Sequence, residues 1–225
     1  MSTPTRAPVR PDTRPGERTQ ARSGTGGQIG ASPARPDGRL KVTGEFAYGS
    51  DLVMDDMIWG VTLRSPHPYA RIKSIGIGDA LATAGVYAVL LADDVPGSNA
   101  YGLEHADQPV LAADIVRYAG EPVALVAADH PEVARLAASK IVVDYEPMKP
   151  VTDAEAALDP AAPRLHAHGN LVRHLKIRKG DPAPQADVVI RGTYFIGMQD
   201  QAVLGPEAGL AVPDGVGGVD LFVST

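Results

Sequence analysis

Three histidines, His166, His168 and His174, fall inside the nine residues HAHGNLVRH, and imidazoles at that density could ligate a metal or move protons. A metal site draws three or four ligands steadied by further partners. This segment instead follows a proline-rich connection, and surface histidines are the stronger reading. Asp51, Asp55 and Asp56 cluster near the start of the first patterned region, but paired carboxylates do acid–base work only where burial separates their pKa values, and a solvated turn fits them better. His67, between Pro66 and Pro68, sits on a stiff backbone that could present a base, although a structural or exposed ring is the plainer reading. The polar groups of FIGMQDQAVLGPEAGLAVP are different: Gln199, Asp200, Gln201 and Glu207 interrupt a strand-like, apolar segment. Buried polar groups need partners, so these either satisfy backbone groups where strands bend at Gly205 and Pro206 or pair across a domain. The sequence has no G-x-S-x-G elbow, no phosphate-binding G-x-x-x-x-G-K-[ST] loop and no H-E-x-x-H. GTGGQIG has no strand before it and does not fit the dinucleotide loop.

The elements that would position these groups can be read from the pattern. Strand-like runs cover 57–63, 71–77, 86–91 and 121–128. A helix begins after Asp129, with Asp129 and Glu132 as a capping box and Val133, Leu136 and Ala137 on one face. A strand resumes over 141–145, and a short helix is expected near 79–83. Residues 147–170, holding Pro147, Pro150, Pro160 and Pro163, read as a connection with a helical turn near 153–158. Strands are expected again over 171–178, 187–198, 207–212 and 219–223, the last two around a Gly-rich turn at 213–218. The fold class is α+β, in domains of 36–150 and 171–225 joined by a linker at 151–170. Residues 1–35, with arginines every four residues from Arg6 to Arg22 among prolines and glycines, read as a disordered tail.

Composition narrows the chemistry. Net charge is −6 without basic and aromatic residues interleaved, so nucleic acid is not expected as a partner. The chain has no cysteine, which removes disulfides, thiolate nucleophiles and iron–sulfur ligation from it. No apolar run approaches the ~20 residues of a membrane span, and no secretory signal is visible. The expected location is the cytoplasm.

Taken together, VTGEFAYGSDL (42–52), LRSPHPYARIKSI (63–75), VLLADDVPGSN (89–99), PVLAADIVRYAGEPVALVAADHPEVARLAASKIVVDYE (109–146) and QADVVIRGTYFIGMQDQAVLGPEAGLAVP (185–213) resemble the molybdenum hydroxylase family of xanthine dehydrogenases and aldehyde oxidases, in the large molybdenum-binding subunit. The MQDQAVLGPEAGLAVP stretch is most similar to bacterial xanthine dehydrogenases.

The resemblance implies an α/β hammerhead domain over 36–150, followed from 171 by the first strands of a molybdopterin-binding domain that LFVST leaves incomplete. It implies an oxidoreductase that hydroxylates purines, hypoxanthine or xanthine to urate, with water as the oxygen source; an aldehyde or another N-heterocycle as substrate, or a non-catalytic docking module, are the alternatives. Molybdopterin would be completed by the rest of the subunit, FAD and [2Fe–2S] centres would sit on partner subunits, and this chain alone would bind none of them and turn nothing over. It implies no catalytic residue and no metal ligand within the chain, since the family's glutamine after an F-V-S-T-like strand, its Gly-Gly-x-Phe-Gly loop and its late glutamate would lie beyond Thr225. Leu103 and Glu104, in NAYGLEHADQPV, would border the substrate channel, and Gln199 and Glu207 would belong to the cofactor domain.

Overall fold

A computed structural model describes residues 30, 35–181, 186–200 and 207–223. The tail reading at 1–35 falls almost wholly outside them. The described residues group into two compact units, one drawn from Met1–Met57 and Arg191–Thr225, the other from Ile58–Ile190.

The Ile58–Ile190 unit is built on two antiparallel three-stranded sheets. The first has β5 (Pro122–Ala128) at its centre, flanked by β1 (Trp59–Arg64) and β3 (Val86–Leu90). The second has β2 (Ala70–Gly76) between β4 (Ile115–Val116) and β6 (Val142–Pro147). β5 is central because its sequence, VALVAA, is apolar on both faces: Ala124, Val126 and Ala128 are fully buried on the side of helix α3 (Pro131–Ser139), while Val123 is buried in a second cluster with Ala70, Ala112 and Val116. Ile75 and Val143 pack against both clusters and so join the two sheets. A short helix α2 (Gly78–Leu81) adds Ala80 to the first cluster.

The strands expected at 57–63, 71–77, 86–91, 121–128 and 141–145, the short helix near 79–83 and the turn at 153–158 are all present within a residue or a few. The details of α3 differ from expectation. Its cap is His130, whose Nδ1 accepts the Glu132 backbone N–H at 3.2 Å, with Pro131 in the first turn. Asp129 instead donates its own backbone N–H to Gly85 O at 2.9 Å, and its carboxylate fills the space a Cβ on Gly85 would need. The buried face is Ala134, Ala137 and Ala138, and Leu136 points outward at 55 % exposure. The alanines win because β5 offers Ala124 and Ala128 opposite, and a small-on-small contact lets helix and sheet approach closely.

In the other unit, α1 (Gly38–Thr43) ends on Gly44 in the left-handed conformation. β7 (Gly209–Pro213) and β8 (Val219–Val223) form the expected hairpin. Its turn is held by Asp214, whose Oδ1 accepts from Val216 N at 2.9 Å and Gly218 N at 2.8 Å. The strands expected over 171–178 and 187–198 are not strands: the described residues there are exposed and belong to no sheet. Alternation gives a segment the means to be a strand, but a strand exists only where a neighbour supplies the ladder.

Candidate functional site

The loop carrying Leu103 and Glu104 is fixed at its base. Asn99 clamps Leu111 with both ends of its amide, Nδ2 donating to Leu111 O at 2.8 Å and Oδ1 accepting Leu111 N at 3.0 Å. Two residues in, Tyr101 and Gln108 exchange backbone hydrogen bonds of 2.9 and 3.0 Å. Between them the chain folds so tightly that a Cβ on Gly102 would lie 1.8 Å from His105 O, so glycine is required there. Leu103 is then fully exposed at the tip, and Glu104 pairs with Arg173 at 3.1 Å.

A second wall comes from the turn into β5. Glu121 is fully buried. One carboxylate oxygen accepts the Arg117 backbone N–H, and the other, Oε1, has no hydrogen-bond partner among the described residues. Arg117 turns its side chain the other way, Nε donating to Leu165 O at 2.8 Å. That bond fastens the 157–170 connection to the sheet. The connection is tied internally by Asn170, whose Oδ1 accepts Leu165 N at 2.8 Å and whose Nδ2 donates to Ala157 O and Pro163 O, each at 2.9 Å.

Loop and connection meet at imidazoles. His166 Nδ1 lies 2.9 Å from Asp107 Oδ2, His168 Nδ1 lies 3.6 Å from the same oxygen, and the His105 and His168 rings meet at a tilt of 34° with centroids 3.8 Å apart. His166, His168 and Asp107 are each about one-third exposed. Of the histidines expected at the surface, His168 and His174 are exposed and His166 is partly buried, and His166 and His168 share one carboxylate. These walls enclose an open cleft of about 1030 Å³ that includes Leu103, Glu104, Arg117 and Glu121. A smaller recess of about 300 Å³, lined by Leu90, Val95, Val110 and Leu125 among others, is mostly apolar.

The remaining candidates separate. His67 packs its ring edge against Tyr145, centroids 4.9 Å apart, and its backbone is pinned by Ser65 Oγ at 3.0 Å. Burial pushes the Tyr145 phenol up from its ordinary range, and a Ser65 hydrogen bond pulls the other way. This is a packed structural ring and not a presented base. Asp51 caps its own turn, accepting Tyr48 N at 3.1 Å, and Asp55 and Asp56 are exposed. Gln199, Asp200 and Glu207 are exposed, and Gln201, Gly205 and Pro206 lie outside the described residues. Among the described residues no three His, Asp or Glu side chains form a group able to hold a metal.

His105, Asp107, Arg117, Glu121 and Asn170 were not singled out by sequence reasoning. One signal existed: HAD (105–107) and HAH (166–168) place titratable groups two residues apart in both partners of the contact, and Glu121 is a carboxylate at the mouth of an apolar strand.

The paired sheets, the α3 packing and the clamped loop describe a hammerhead-type α+β domain with a structured connection, of the kind found in molybdenum hydroxylase large subunits. Residues 43–149 match the family described as aldehyde oxidase and xanthine dehydrogenase, a/b hammerhead domain, and this segment is a hammerhead domain of that family. It is 40 % identical over 197 residues, 86 % of its length, to a probable xanthine dehydrogenase subunit of Bacillus subtilis (strain 168), covering 26 % of that protein. It is 33 % identical over 200 residues, 88 % of its length, to the nicotinate dehydrogenase large molybdopterin subunit of Eubacterium barkeri, covering 47 % of it. Among solved structures it superposes on the Cu,Mo-CO dehydrogenase with a TM-score of 0.56 and 35 % identity, over 60 % of this chain and 18 % of that one. The chain thus spans less than half the length of these relatives. No helix among the described residues is long and apolar enough to cross a membrane.

Proposed function

We propose that this chain supplies the hammerhead domain, and from about residue 171 the first segments of the molybdopterin-binding domain, to an oxidoreductase that hydroxylates a purine with water as the oxygen source. The observation that carries the reading is the 40 % identity to a xanthine dehydrogenase subunit over 86 % of the chain. Molybdopterin, FAD and [2Fe–2S] centres belong to the rest of the subunit and to partner chains, in a cytoplasmic assembly. With no cysteine in this sequence, iron–sulfur ligation falls to other polypeptide. This chain's contribution is positional. The Asn99 clamp and the Gly102 fold hold Leu103 at the substrate channel as an apolar wall, and the Glu104–Arg173 pair fixes the loop beside it. An apolar wall with few polar groups suits a flat heterocycle. A second reading, an N-heterocyclic acid as substrate, is favoured by the 33 % identity to a nicotinate dehydrogenase subunit.

The test is purification of the chain from its own host with co-purifying proteins retained, followed by metal and flavin analysis and dye reduction with xanthine, hypoxanthine and nicotinate. Molybdenum, iron and flavin in one complex with purine-dependent reduction are expected. Nicotinate-dependent reduction would replace the purine assignment, and a metal-free 23.5 kDa chain would overturn the enzymatic reading in favour of a docking module.

A further inference from the structure

We propose that the cleft between the 101–109 loop and the 164–173 connection is a binding site for a small planar cation, an amidinium or guanidinium carried on an apolar body, with Glu121 Oε1 as the acceptor of its N–H. The cleft is open, about 1030 Å³ in volume, and Glu121 forms part of its wall. That side chain is fully buried, one of its oxygens is taken by the Arg117 backbone N–H, and Oε1 has no hydrogen-bond partner among the described residues. A carboxylate oxygen taken from water without a donor to replace it is destabilising. Among the described residues it is the one buried side-chain oxygen or nitrogen left in this condition. A ligand that brings an N–H to the floor of the cleft removes the penalty.

The charges around the cleft select a cation. Three carboxylates line it, those of Glu104, Asp107 and Glu121, against the two guanidiniums of Arg117 and Arg173. Glu104 is engaged by Arg173 at 3.1 Å and Asp107 by His166 at 2.9 Å. Arg117 directs its guanidinium at main-chain carbonyls, Nε donating to Leu165 O at 2.8 Å and Nη1 to Ile115 O at 3.3 Å, and so leaves Glu121 to another donor. A charged donor suits that oxygen better than a neutral one, since charge-assisted hydrogen bonds are roughly twice as strong. The rest of the wall favours a flat ligand with an apolar body. Tyr101 and Tyr118 line the cleft as partly exposed rings, and Leu103 is fully exposed at its edge. Aromatic faces attract cations, and a planar delocalised cation is less strongly hydrated than an ammonium, so it loses less on leaving water. A metal ion does not fit, because no three His, Asp or Glu side chains among the described residues form a group able to hold one. The site takes its ligand independently of the reaction proposed above, so its occupancy is read by binding without turnover.

Nuclear magnetic resonance titration of the isotope-labelled full chain with benzamidine tests the site, with the Arg117 amide as reporter because its N–H is bonded to the Glu121 carboxylate. A saturable shift of that amide is expected, together with nuclear Overhauser contacts from the benzamidine ring to the Leu103 methyls or the Tyr118 ring. Benzamide, the neutral isostere, should bind about tenfold more weakly. In Glu121→Gln, whose amide oxygen can still accept the Arg117 N–H, benzamidine should lose that advantage while the β5 amides keep their wild-type shifts. If the variant does not fold, the comparison of benzamidine with benzamide on the wild-type chain decides, with the ring contacts. Absence of the saturable shift or of the ring contacts, equal binding of benzamide, or undiminished benzamidine binding by folded Glu121→Gln would each overturn the site. N-acetylargininamide, which lacks the aromatic body, should bind more weakly than benzamidine; tighter binding would assign the cleft to an arginine of another polypeptide and overturn the small-ligand inference.

Discussion

Asp214 shows how much a single carboxylate can do on a short hairpin. Its Oδ1 accepts the backbone N–H groups of Val216 and Gly218, and its own N–H donates to Gly218 O at 3.1 Å. Those donors stabilise the ionised form and hold its pKa below the usual carboxylate range. A depressed folded pKa contributes stability above the ordinary carboxylate value and loses it as pH falls through the folded value. The β7–β8 turn should therefore persist at pH 5 and fray well below pH 4, read as loss of protection at the Gly218 amide. The Asp214→Asn variant, with one uncharged acceptor oxygen, should show no such acid step, and an identical acid step in that variant would remove Asp214 from the account. The same reasoning explains why Glu121 stands out: a fully buried carboxylate with one oxygen unpartnered among the described residues is costly, and it persists where β5 begins at the cleft wall.

Among the helices and strands, α3 owes its position to size more than to hydrophobicity. Ala134, Ala137 and Ala138 are all buried against the sheet whose centre carries Ala124, Val126 and Ala128. Ala137→Leu inserts methylenes into a fully packed contact and should lower stability by about 1–3 kcal/mol, measured as a shift in the urea midpoint. Leu136→Ala, on the half-exposed face, should cost much less, and equal costs would contradict the packing described. The limits of sequence reasoning show in the same helix. The alternating or apolar runs of β1 and β2, the compact apolar runs of β3 and β5 and the strand–helix–strand order through α3 were legible, because each rests on a local pattern that burial reinforces. The buried face of α3 was not, because an aliphatic count favours Leu136 while the close approach of β5 admits alanine. The cap was not, because Asp129 has the better propensity but Gly85 claims it and His130 takes the role. The cleft was legible at Leu103 and Glu104, and His166 and His168 only as residues and not as partners of Asp107: Asp107 meets His166 across a separation that no local pattern records. Residues 171–178 and 187–198 carry a strand pattern that goes unused without a neighbouring strand.

Along the full chain, stability and apolar exposure are divided unequally. Both buried clusters are drawn from residues between Val61 and Tyr145, and the connection folded around Asn170 closes the same unit through Arg117 and Leu165. Residues 186–200 present the opposite character: Val188, Ile190, Tyr194, Ile196 and Met198 are strongly exposed, and Phe195 reaches 95 %. A run of exposed apolar residues with unpaired backbone is a template for another strand, and on the function proposed above it is where further cofactor-domain polypeptide would pair. Two consequences can be measured together. A fragment of residues 58–173 holds every residue of both clusters and should unfold in one cooperative transition, at a temperature close to that of the corresponding transition in the full chain. The full chain should bind an apolar-surface dye such as anilinonaphthalene sulfonate, and the fragment should bind far less, because it lacks 186–200. A fragment that melts without a cooperative transition, or that binds dye as strongly as the full chain, would mean that the Ile58–Ile190 unit depends on segments outside its two clusters, and the division of stability drawn here would fail.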